Sequence, residues 1–177
     1  MRATLFLVLG IAACSAESST PIPRFSAADA AVEPDPLLRE ALDAAFAEAE
    51  RGTSGALLEL AKCYEANTLG ALAAETYRLC LARGGAELGL EPVRLWHHIG
   101  CSLEGGPRAE EALAAFEEVR RSAPGYAPAH WRAGSLLEEE GREEEARAAF
   151  ERALELEPGG VPQTLGLARV ELAQCRA

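Results

Sequence analysis

The body of this chain superimposes on itself after a shift of 34 residues. Gly100 falls on Gly134, Leu103 on Leu137, Ala112 on Ala146, Phe116 on Phe150 and Pro124 on Pro158. A fixed period of this length confines the fold to an array in which each unit is one supersecondary element stacked on its neighbours. Residue types choose helix over strand: alanine, leucine, glutamate and arginine dominate, and aromatics make up only 6% of the 177 residues. That length is about one domain.

Within the earlier copy, Trp96-x2-Ile99-Gly100-x2-Leu103, then Ala112-x3-Phe116, then Pro124, resembles the tetratricopeptide repeat (TPR) pattern. The later copy carries Ala133-Gly134-x2-Leu137, Gly141, Ala146-x3-Phe150, Ala153 and Pro158. It departs at the tryptophan place, where His130 stands and Trp131 follows one residue late. A more diverged copy reads Leu60-Ala61-x2-Tyr64, Ala73-x3-Tyr77, Cys80. The fold this implies is all-α, a right-handed TPR solenoid of helix-turn-helix hairpins with about three repeats plus flanking helices.

Packing explains the pattern. Gly100, Ala112, Gly134 and Ala146 are small where two helices of a hairpin cross closely, Phe116 and Phe150 fill the space between hairpins, and Pro124 and Pro158 stop the second helices. Repeats are expected over about 54–87, 93–126 and 127–160. Between the first two, the glycines and proline of residues 84–92 mark a loop that absorbs about five extra residues. Asp35-Pro36 opens a helix over 36–51 whose Leu38, Leu42, Ala45, Phe46 and Ala49 form one stripe. Residues 161–174 read as a lone first helix that caps the stack.

The N-terminus reads as an address. Residues 1–13 combine Arg2, an apolar run too short for a bilayer and small residues, the pattern of a secretory signal. Ile11-Ala12-Ala13-Cys14 resembles the bacterial lipobox, which implies cleavage before Cys14 and acylation of that cysteine. With the repeats, the resemblance is to bacterial TPR lipoproteins. Ser15, in place of aspartate, suggests the outer membrane facing the periplasm; free secretion is the alternative. Residues 14–35, rich in proline and serine and without apolar periodicity, are expected to form a flexible tether, with Phe25 loose upon it and docking of Phe25 on the domain as the alternative.

The TPR resemblance implies a concave face, built from first helices, that holds a peptide or partner helix. Its places two, five, nine, twelve and thirteen correspond here to Leu58, Lys62 and Glu65 in the first unit, Arg94, His97, Cys101 and Glu104 in the second, and Trp131, Ser135, Glu138 and Glu139 in the third. Leu165 and Arg169 extend the face onto the terminal helix. Trp131 is the expected hot spot, with core packing as its other reading. Some TPR proteins clamp a terminal carboxylate with lysine and asparagine at places five and nine. Leu58 with Lys62, and His97 with Cys101, do not supply that clamp.

A net charge of −11, from 17 basic and 28 acidic residues, disfavours nucleic acid and suits a partner segment with basic character. The run Glu138 to Glu145, interrupted by Gly141 and Arg142, lacks the ordered ligand spacing of a calcium loop and reads as a solvated turn. Besides Cys14, the cysteines are Cys63, Cys80, Cys101 and Cys175. Cys63 and Cys80 are poorly placed to pair across a hairpin that turns at Asn67-Thr68, and Cys80 occupies a small-residue place. His97 and Cys101, four apart on one helix, with His130 on the next first helix, form at most a partial metal set, so the rival reading is a metal- or redox-responsive envelope protein. No nucleophile elbow, phosphate loop or zinc-protease motif occurs. The expectation is a non-catalytic adaptor with no cofactor and no small-molecule substrate.

Overall fold

A computed structural model of the chain describes residues 20–29, 35–52, 55–84, 91–160 and 166. Cys14, Cys175, Leu165, Arg169, most of the expected capping helix and residues 85–90 of the expected loop lie outside that set. Among the described residues there are seven α-helices: α1 (Pro36–Glu50), α2 (Ala56–Ala66), α3 (Gly70–Ala82), α4 (Pro92–Leu103), α5 (Ala109–Ser122), α6 (Ala127–Glu139) and α7 (Glu143–Leu156). Each packs on the helix before and after it, so the chain advances as hairpins α2/α3, α4/α5 and α6/α7, with α1 packed on α2. None of these helices is long and apolar enough to cross a membrane.

Local chemistry sets the ends. Asp35 accepts the Leu37 N–H at 2.7 Å, and Pro36, which has no N–H to leave orphaned, occupies the first turn of α1. The stripe then buries Leu42, Phe46 and Ala49. α5 and α7 stop at Ser122 and Leu156, two residues short of Pro124 and Pro158. Gly141, at φ +74, turns the chain between α6 and α7, and Arg142 there pairs with Glu145 and Glu140. The acidic run is thus a solvated turn.

The core is a line of small-against-large contacts. Ala112, Phe116, Ala146 and Phe150 are fully buried. A Cβ on Gly100 would stand 2.6 Å from the Phe116 ring, and one on Gly134 would stand 2.8 Å from the Phe150 ring. The two glycines therefore hold equivalent places on successive hairpins. Gly166 approaches the same Phe150 ring from beyond α7, again at 2.6 Å for a Cβ. In the diverged unit Ala61 and Tyr77, both fully buried, hold the corresponding places.

One expectation needs correction. Part of the segment read as a tether lies on the repeats. Tyr64 donates its hydroxyl hydrogen to the Pro23 carbonyl at 3.0 Å and accepts the Phe25 N–H at 3.3 Å. Ile22 and Phe25 pack against the core, so Phe25 is half-buried rather than loose. Arg83 donates to the Thr20 carbonyl at 2.9 Å, and Arg24 pairs with Asp43 at 3.2 Å while lying 5.0 Å from the Phe46 ring centroid. Ser26 and Asp29 close a 3-10 turn over Ala27–Asp29. The physical reason is that α1 has no first helix ahead of it among the described residues, and residues 20–25 supply the apolar side chains that meet α1 and α2 there.

Candidate functional site

Successive first helices are bridged at repeating places. Glu65 of α2 accepts from His98 Nδ1 of α4 at 3.1 Å, and Glu104, the residue that ends α4, pairs with Arg132 of α6. Each carboxylate stands at place twelve of its unit and each nitrogen donor at place six of the next. Glu65 also accepts the Tyr77 hydroxyl at 2.6 Å, and the Tyr77 and His98 rings stack at 5.1 Å. Two expected ligand contacts are thereby used to hold the groove together. His98 and Arg132 lie outside the five expected places, yet both fall at place six, and the acidic residues opposite them share a register.

The tryptophan place shows how a departure from the pattern reshapes the surface. In the second unit Trp96 occupies that place and is half-buried against the core. In the third, His130 sits there instead, 5% exposed, with Nε2 at 3.1 Å from the Pro124 carbonyl. A carbonyl only accepts, so Nε2 carries the hydrogen, and Nδ1 is left buried without a partner. Trp131, one residue on, is half-buried: it packs against the cluster of Leu137, Ala146, Ala149 and Phe150, and Arg132 lies 4.8 Å from its ring centroid.

Trp131 lines a pocket of about 230 Å³ together with Glu104, Arg132, Ser135, Leu136 and Glu139. The structure thus brings together Glu104, Trp131, Ser135 and Glu139, four of the expected groove residues. The volume falls below the roughly 300–1,000 Å³ of small-molecule sites and suits one inserted side chain. Burial pushes the Glu104 carboxyl above its ordinary value, with the Arg132 charge opposing the shift. A wider hollow of about 460 Å³ lies at the rim, between the turn at 68–72 and the residues 102–108, with Ala28 and Asp29 on its wall.

The remaining expected residues are more scattered. Lys62 is exposed and pairs with Glu59 at 2.8 Å, Leu58 is half-buried against the core, and Arg94 is exposed. Glu138 is half-buried at the C-terminal end of α6. His97 lies edge-on to Phe116 at 5.8 Å and to Tyr126 at 5.3 Å, and its Nε2 is 3.5 Å from the Cys101 sulfur. Burial, then the charges of His98 and Arg132, hold His97 below the usual histidine value. Burial pushes the Cys101 thiol up to about 11, so no thiolate forms near neutral pH. Cys63, Cys80 and Cys101 are free thiols, and Cys80 is fully buried. Among the described residues no three histidine, cysteine, aspartate or glutamate side chains gather as a metal would need. His130, the third member of the partial set, has Nε2 on the Pro124 carbonyl.

A tetratricopeptide repeat family model matches residues 108–167, from the start of the second hairpin's second helix to beyond α7. The fold is an all-α TPR solenoid. It is similar to the crystal structure of MamA at a TM-score of 0.63 and 18% identity, over 77% of this chain and 78% of that one. It is also similar to YrrB, described as a TPR protein with an unusual peptide-binding site, at a TM-score of 0.60 and 18% identity, over 78% of this chain and 70% of that one. No curated protein sequence matches the chain. TPR folds are in general scaffolds for protein–protein interaction.

Proposed function

We propose that this chain is a non-catalytic adaptor that holds an extended peptide or amphipathic helix of another protein in the groove of its TPR solenoid. The observation that carries the reading is the position of Trp131. His130 takes the buried place, and the indole is left at the wall of a pocket sized for a single side chain. A large, half-desolvated aromatic beside an ion pair is the usual make-up of a binding hot spot. The peptide-binding site named for YrrB supports the same class of ligand. The carboxylates of Glu104 and Glu139 at the pocket, and the net charge of −11, favour a partner with basic side chains.

In this reading the adaptor is tethered in the bacterial cell envelope through lipid on Cys14, on the periplasmic face of the outer membrane. The lipobox resemblance of Ile11-Ala12-Ala13-Cys14 supports it.

A pulldown from detergent-solubilised envelope tests the adaptor role. Wild-type protein retains a discrete partner; Trp131→Ala loses it while its helical circular dichroism is unchanged. An identical set of co-purifying proteins with both would contradict the proposal.

A further inference from the structure

Residues 20–25 are seated on the repeats as a ligand would be. Pro21 and Pro23 fix two φ angles, and the segment from Thr20 to Ser26 makes no regular hydrogen-bonded element of its own. Its backbone is read at three points: the Thr20 carbonyl by Arg83, and the Pro23 carbonyl and Phe25 N–H by the single hydroxyl of Tyr64. Its side chains are read as well. Ile22 and Phe25, half-buried, pack against the apolar core, and Arg24 meets the Asp43 carboxylate and the face of Phe46. These contacts come from α1, α2 and the residue after α3, a surface separate from the pocket of Trp131 between α4 and α6. Tyr64 is fully buried, and burial raises its hydroxyl pKa despite the Phe25 hydrogen bond, so the phenol stays protonated and can donate and accept at once.

We propose that this surface is a second peptide-binding site, selective for an extended segment of the form proline, apolar, proline, arginine, aromatic, and that the chain's own residues 21–25 occupy it in cis. A partner segment of the same chemistry displaces them. Two features argue for a ligand rather than a fixed part of the fold. Two of the three backbone contacts come from one side chain, Tyr64, and the segment adds no hydrogen-bonded element to the repeats, so affinity rests on side-chain groups as in peptide recognition. The segment also lies only ten residues, 26–35, ahead of α1 in the same chain, which places it at an effective concentration in roughly the millimolar range. A weak intrinsic affinity is then enough to keep the site filled until a competitor arrives. Neither Tyr64 nor residues 21–25 line the Trp131 pocket, so changes at this surface leave that pocket untouched.

The experiment converts the cis segment into a separate ligand. A protease site is placed within residues 30–34 of the full chain, the protein is cleaved, and the released fragment is removed by dilution and gel filtration. A synthetic peptide carrying Thr20 to Asp29 is then titrated into the cleaved body and into uncleaved protein. The proposal expects saturable binding to the cleaved body and at least tenfold weaker binding to the uncleaved chain. It also expects about tenfold loss when the body carries Tyr64→Phe, which removes two hydrogen bonds, and a comparable loss when the peptide carries Phe25→Ala. A cleaved body that stays helical and binds no peptide would overturn it. So would a cleaved body that unfolds once the fragment is gone, because the segment would then be part of the fold and not its ligand.

Discussion

A Cβ placed on Gly134 would stand 2.8 Å from the ring of Phe150, a distance that side-chain carbons essentially never reach. The same relation joins Gly100 to Phe116 one unit earlier, at 2.6 Å. Both rings are fully buried and have no room to swing aside. Gly100→Ala and Gly134→Ala should each overpack the crossing at a cost of ~1–3 kcal/mol, which exceeds the ~1 kcal/mol that alanine gains in a helix. Thermal unfolding should fall by a few degrees for each. Pairing Gly100→Ala with Phe116→Leu should cost less than the sum of the two single changes, and additivity would argue against direct contact.

The bridge from Glu104 to Arg132 yields a prediction with a sign. Arg132→Leu removes the charge that opposes burial of the Glu104 carboxyl, so the folded-state value rises further above that of the unfolded chain. A raised carboxylate contributes stability when protonated and loses it as pH climbs through the unfolded value toward the folded one. The variant should therefore be less stable than wild type at pH 7.5 and close to it near pH 4.5, measured by thermal melts. A deficit of equal size at both pH values would contradict the role assigned to Arg132.

What was legible in the sequence was the part that repeats. Gly100, Gly134, Phe116 and Phe150 could be placed because a glycine at a crossing and an aromatic between hairpins recur at a fixed spacing. The prolines behind α5 and α7 gave the helix ends for the same reason. The residues at 20–25 could not be placed, since their docking uses partners 19 to 63 positions away, Asp43, Tyr64 and Arg83, and has no period. The candidate site was half legible. Place numbers located Trp131, Ser135 and Glu104, but Glu65 and Glu104 also had partners at place six, and His98 and Arg132 became visible only when neighbouring helices were set side by side.

The buried His130 should make the protein acid-sensitive. Burial lowers His130 below its ordinary value, with the charges of Arg120 and Arg152 adding to the shift and the Pro124 carbonyl opposing it. The unfolded chain then takes up a proton first as pH falls. Stability that is complete above the unfolded value of 6.5 is lost toward the lower folded value. His130→Gln, which keeps a donor for Pro124, should narrow the gap between melting temperatures at pH 7.5 and pH 5.5. An unchanged gap would remove His130 from the acid response; Glu104, common to both proteins, cancels in the comparison.

Tethering through Cys14 makes a separate prediction. In a bacterial host, metabolic labelling with a fatty acid should mark the wild-type protein, and detergent phase partition should carry it with the lipid fraction. Cys14→Ser should abolish both while leaving the circular dichroism of the repeats unchanged. Label retained by Cys14→Ser would contradict an anchor at that thiol.

In the proposed function, the groove around Trp131 is where another protein sits. A photo-crosslinking residue placed at Ser135, which lines the pocket, and in separate protein at the exposed Ala148 of α7, tests it in intact envelope. A discrete protein adduct is expected from position 135, lost when Trp131→Ala is added, and none from position 148. Equal adducts from both positions, or an adduct at 135 indifferent to Trp131→Ala, would contradict it.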